Sequence, residues 1–130
     1  MSAFKSVVSE TGRFMYDNYH FSEAAECDGV LLCSGVIGTG ADGKIPDDAG
    51  EEFRNAWRAV GAVLKQADMG YENIVEYTSY HVGLQELMGA FMSARDEVLS
   101  EPWPAWTAIG ITELAVPGAR VEIRITAKRG

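Results

Sequence analysis

The feature that most constrains the fold is an apolar stripe, Phe53, Trp57, Val60, Leu64 and Ala67, recurring at spacings of four, three, four and three. That period puts the five side chains on one face of an amphipathic helix. Asp47 or Asp48 caps its start, Glu51 is the capping-box acid if Asp48 is the cap, and Gly70 is the expected left-handed stop. Burying the four large members contributes about 6–12 kcal/mol before entropy is subtracted. Such a helix needs an apolar layer beneath it, and Trp57 reads as core rather than ligand platform. Leu84, Leu87, Phe91, Ala94 and Val98 form a second stripe, ended by Ser100-Glu101-Pro102.

The remaining segments read as strands. Ile74 to Val82 is rich in β-branched and aromatic residues. Ser6–Ser9 and Arg13–Tyr16, joined by Glu10-Thr11-Gly12, predict a short hairpin, and Ser22 to Glu26 a brief strand. Gly29 to Val36 is almost wholly apolar, as in a central strand buried on both faces. Gly38-Thr39-Gly40-Ala41-Asp42-Gly43 is followed by neither Lys-Ser/Thr nor a helix, so it reads as a hairpin loop and not a phosphate cradle. The last two strands, Trp106–Glu113 and Arg120–Ala127, are expected to face each other, with Val121, Ile123 and Ile125 pointing one way and Glu122, Arg124 and Thr126 the other.

The order is strands, helix, strand, helix, strands. It predicts a single α+β domain over residues 1–130, with both helices on one sheet face. Trp106, Ala108, Gly110 and Glu122 are assigned to one parity, on the uncovered face. A Trp beside small residues there predicts packing against another subunit. His81, near a strand end, is expected close to a surface or subunit contact, and His20 in a loop.

Composition narrows the function. A net charge of −8 without a clustered Lys/Arg stripe disfavours nucleic acid, whose phosphates need a basic footprint. No run of eighteen apolar residues predicts a membrane span. Met1 to Ser6 lacks the basic start and apolar stretch of a secretory signal, so cytoplasmic residence is expected. Cys27 and Cys33 within one extended segment stand roughly 20 Å apart, too far for a disulfide. Without histidines at ligand spacing they make no zinc site, and reduced thiols are expected.

The chain resembles the Rid family, the reactive-intermediate deaminases also called the YjgF or L-PSP family, over nearly its whole length. The resemblance rests on Phe21-Ser22-Glu23-Ala24 and Asp28 to Gly35, on the helix capped at Asp48, and on Tyr80-His81-Val82. It also rests on Glu101 to Ala108 and on Val121-Glu122-Ile123, against the family's Pro-Ala-Arg-Thr/Ser and Val-Glu-Ile-Glu. The resemblance implies a chorismate-mutase-like α+β fold, a homotrimeric barrel, and small-molecule pockets at subunit interfaces. In typical deaminases the motif Arg pairs with the carboxylate of a 2-imino acid, and a last-strand Glu helps a water attack the imine carbon, without metal or cofactor.

Glu122 matches that Glu, and Ser34-Gly35 match the pocket-lining pair. The Arg is replaced by Trp106, the pocket Tyr by Phe21, a second-helix Asn approximately by Met92, and a Gln by Val36. All four departures make the implied pocket less polar. Trp offers one N–H and an apolar face in place of a bidentate charged fork. Losing such a pair costs about 2–5 kcal/mol, a factor of roughly 30 to several thousand in affinity. Arg124 either supplies the charge from a shifted position or pairs with Glu122 or another acid. Glu122 is either a water-activating base or an interface carboxylate satisfying donors.

Two functions remain in view. One is an enzyme acting on an imine, enamine or related small metabolite, with Glu122 as base, Ser34 or Gly35 orienting, and Phe21, Met92, Trp106 and Arg124 contacting substrate. The other is a non-catalytic metabolite-binding protein. The endoribonuclease or translation-inhibitor activity attributed to some relatives fits the acidic charge poorly.

Overall fold

A computed structural model describes residues 2–130. Its largest helix, α2 (Ala49–Gln66), forms where the stripe requires. The Asp48 side chain accepts from Glu51 N at 2.9 Å, and Phe53, Trp57, Val60 and Leu64 are buried. Helix α3 (Leu84–Asp96) buries Phe91 and Ala94 against α2. Edge-on aromatic contacts join α2 to α3, Phe53 to Phe91 at 5.7 Å, and α2 to the sheet, Trp57 to Tyr77 at 5.2 Å between ring centres.

Beneath them lies one mixed sheet of seven strands: β1 (Lys5–Val7), β2 (Ala24–Cys27), β3 (Val30–Cys33), β4 (Val36–Ile37), β5 (Ile74–His81), β6 (Ala105–Gly110) and β7 (Val121–Lys128). Their order is β1-β2-β3-β7-β5-β6, with β4 also paired to β7. Only β5 and β6 run parallel, connected through α3, and every other pair is antiparallel. Strand β7 is therefore central, and its odd-numbered side chains from Val121 to Ala127 are all buried under the helices.

Several expectations change. The final two strands do not face each other, because β5 lies between them. The segment 29–36 is two strands laid end to end along β7, broken at Ser34-Gly35, and Leu32 is 44% exposed. It is buried on one face of the protomer, not two. The proposed second strand of the hairpin is helix α1 (Arg13–Tyr19). A turn in which Gly12 N donates to Ser9 O starts it, an Arg13–Asp17 pair lies one turn along it, and Asn18 Nδ2 donates to Phe14 O. These local contacts override the strand propensity of its aromatic residues. The left-handed stop of α2 is Asp68 (φ 57°), whereas Gly70 is extended at φ −131°.

Both cysteines are free thiols, Cys33 buried and Cys27 half-buried. Among the described residues, no helix is long and apolar enough to cross a membrane.

Candidate functional site

Strand register decides which sequence-derived candidates meet. Tyr77 pairs with Trp106 across β5–β6, and Tyr80 with Glu122 across β5–β7. Tyr77 and Tyr80 are three apart on one strand and so point to opposite faces. Trp106 therefore lies on the helix-covered side and Glu122 on the open side. The assignment of Trp106, Ala108, Gly110 and Glu122 to a single face is corrected: the first three share a face, and Glu122 does not.

On the open side, the break between β3 and β4 forms a cavity of about 500 Å³ lined by Ser22, Leu32, Ser34, Gly35 and Arg124, with Phe4 at its rim. Ser34 fixes the break: its N donates to Glu23 O at 2.9 Å and its Oγ to Ser22 O at 2.7 Å. The hydroxyl proton is thereby used, and only lone pairs face a ligand. Gly35 is required by close approach, since a Cβ there would stand 2.5 Å from the Glu122 carboxyl carbon. The half-buried Glu122 carboxyl thus rests directly on the Gly35 backbone. Burial pushes its pKa upward.

Arg124 is exposed on the same face, two residues further along β7. The ion pairs among the described residues are Arg13–Asp17, Arg95–Asp96, Arg120–Glu52 and Arg129–Glu26, so Arg124 pairs with neither Glu122 nor another acid. Its charge is felt nearby: burial pushes the Cys33 thiol up to about 12, and Arg124 opposes that rise. Arg124 thus lines the cavity with Ser34 and Gly35, while the Glu122 carboxyl abuts Gly35 without being part of the lining. The arrangement can hold a small anion and exchange a proton.

The other candidates lie elsewhere. Phe21 precedes the cavity-lining Ser22 and is 41% exposed. Met92 is on α3, across the sheet from Glu122. Trp106 stacks on Tyr77 at 5.8 Å and on Phe91 at 5.9 Å, and its Nε1 donates to Ser79 Oγ at 2.8 Å. That hydroxyl is also 2.7 Å from His81 Nε2. His81 is 1% exposed among Phe53 and Phe91, not near the surface as expected, and burial lowers its pKa. His20 ends α1 in the left-handed conformation, exposed.

Sequence reading missed Phe4, Ser22 and Leu32 in the cavity wall, and Ser79 as the acceptor beneath Trp106. Phe4 carried no signal, since only the pairing of β1 with β2 brings it there. Ser79 was available from parity, two residues from both Tyr77 and His81.

Comparison with known proteins agrees with this architecture. The family model described as Endoribonuclease L-PSP matches residues 15–129. The RutC family protein YjgH of Escherichia coli K12 is 30% identical over 126 residues, 95% of each chain. A solved structure of protein YJGH superposes with a TM-score of 0.86 at 27% identity, covering 98% of this chain and 97% of that one. A Mycobacterium tuberculosis member of the YjgF/YER057c/UK114 family has the same fold, with a TM-score of 0.81 at 22% identity, covering 95% and 98%. With its mixed sheet, its helices and a match over almost its entire length, the chain belongs to the Rid/YjgF/L-PSP family.

Proposed function

We propose that this protein binds a small, negatively charged metabolite in the open-face cavity and hydrolyses an imine, enamine or related group in it. The carrying observation is the position of Gly35, which lines the cavity together with Arg124 and is abutted by the half-buried Glu122 carboxyl. Arg124, the single cation lining the cavity, holds the anionic end of the ligand. Ionised Glu122 takes a proton from water as the water oxygen attacks the C=N carbon, and passes that proton to the nitrogen as the electron pair moves onto it. The adduct's hydroxyl proton reaches the nitrogen by the same route, leaving Glu122 ionised again. Collapse of the tetrahedral adduct releases ammonia and leaves a carbonyl, so one water is consumed for each ammonia formed. The raised pKa makes Glu122 a stronger base than an exposed carboxylate.

The arginine implied by the resemblance has no counterpart in this cavity, because Trp106 takes its place on the helix-covered side with its single donor committed to Ser79. With its one guanidinium, Arg124, at a shifted position, the usual 2-imino acids are not the expected substrates. Self-association as a homotrimer, with a neighbour closing each cavity, is supported by exposed Leu32 and Ile109 on the open face. A second reading, metabolite binding without turnover, is favoured by the apolar part of the wall, Phe4, Ala24, Ala25 and Leu32.

A coupled assay with freshly generated imines, including 2-imino acids, tests the proposal. Glu122→Gln is expected to lower turnover about 10²–10⁴-fold, and Arg124→Ala to weaken binding by roughly 30-fold or more. Efficient 2-imino acid hydrolysis that survives Arg124→Ala would remove the assigned anion contact. Ligand-dependent thermal stabilisation with no turnover of any imine selects the second reading.

A further inference from the structure

The helix-covered side carries its own cavity, about 310 Å³, between the C-terminal end of α3 and the start of β6. Its walls are Tyr77, Arg95, Asp96, Leu99, Trp103, Pro104 and Trp106. Three of these seven are aromatic, and they behave differently. Tyr77 and Trp106 stack on each other with their planes 12° apart. Trp103 is 59% exposed and makes no ring contact with another aromatic side chain among the described residues. It is nevertheless held between Pro102 and Pro104, which restrict the backbone on both sides of it. A large exposed aromatic that lines a cavity but stacks on no other ring has a free face for a planar partner.

The charge in the cavity is also specific. The Arg95 guanidinium lies 5.0 Å over the Trp106 ring, and its side chain is only 19% exposed. Nε and one terminal nitrogen both address a single Asp96 oxygen, at 3.0 and 2.9 Å. A guanidinium carries five N–H donors, so the Asp96 pair and the hydrogen bond to the Tyr77 side chain still leave donors for a second carboxylate. Stacking on Trp106 holds the fork in place, which reduces the ordering cost of binding.

We propose that this cavity is a second small-molecule site whose ligand is a planar aromatic carboxylate. The ring lies against Trp103 and the Tyr77 side, and the carboxylate meets Arg95. Sites for small molecules start at about 300 Å³, which sizes the ligand at one or two fused rings. The site is independent of the Glu122–Arg124 cavity because it lies across the sheet from it.

Titration calorimetry with indole-3-carboxylate as probe tests this on the purified full chain. Saturable binding is expected, weakened about tenfold by Trp103→Ala through lost stacking and about tenfold or more by Arg95→Gln through the lost charge. Binding by Arg124→Ala is expected to equal that of wild type. The neutral indole-3-carboxamide is expected to bind at least about tenfold more weakly than the acid. Trp103 is largely exposed, so an unchanged denaturation midpoint for Trp103→Ala separates loss of binding from loss of fold. No saturation at millimolar probe, equal affinity for the carboxamide, or loss of binding in Arg124→Ala alone each overturns the proposal.

Discussion

On the helix-covered face of the sheet, several polar groups are partnered within the protein, although Trp57 Nε1 and His81 Nδ1 are buried without a partner among the described residues. Trp106 Nε1 reaches Ser79, His81 meets the same hydroxyl, and Arg95 sits on Trp106 beside Asp96. On the open face, Arg124 has no acidic partner among the described residues, Glu122 rests on a glycine, and Leu32 and Ile109 face outward. Strands β5 to β7 contribute to both, with Arg95 and Asp96 added from α3 on one face and Leu32 from β3 on the other. One face uses its side chains to hold the helices and the other leaves them for something outside the protomer. Trp106 and Glu122, which a motif reading places in one pocket, are thereby divided between two environments with opposite demands.

The largest expected contrast is in packing. Phe91→Ala, which removes a ring in contact with Phe53, Trp57, His81 and Trp106, should cost about 3–5 kcal/mol in denaturant titration. Leu32→Ala should stay within about 0.5 kcal/mol at low protein concentration. A larger loss for Leu32→Ala that depends on protein concentration would show the open face buried between copies.

Trp106→Arg is the next test. Removing the stack on Tyr77 and the donor to Ser79 should destabilise by about 2–4 kcal/mol, with no gain in 2-imino acid turnover. Normal stability together with new turnover would join position 106 to the Glu122 site and break the division of faces.

The smallest effects are in pH dependence, and they have opposite signs. Buried His81 has a pKa below its ordinary 6.5. The unfolded chain then binds a proton that the folded one refuses, so stability is lost as pH falls from 6.5 through the lowered folded value. Glu122 has a pKa above its ordinary 4.5, so the folded chain holds the proton longer, and stability falls as pH rises from 4.5 through the raised folded value. Melting curves across both windows should flatten at the upper one in His81→Phe and at the lower one in Glu122→Gln. If Glu122→Gln leaves its window unchanged, the carboxyl is not desolvated against Gly35.

The sequence by itself determined the α+β class, the first helix stripe and most of the second, a cap at Asp47 or Asp48, the alternation along β7 and the candidacy of Glu122 with Ser34-Gly35. Each follows from short-range periodicity or from a local motif, and both are properties of neighbouring residues. Only the tertiary structure decided that β5 lies between β6 and β7, because strand order depends on how α3 returns the chain to the sheet. That insertion set the register pairing Tyr77 with Trp106 and Tyr80 with Glu122, and so sent the two side chains to opposite faces. Nothing local could reveal it: parity within one strand is fixed by the pleat, but parity between strands is fixed by long-range pairing. The same long-range pairing buried His81, left Arg124 without an acid, and assembled the aromatic cavity around Arg95.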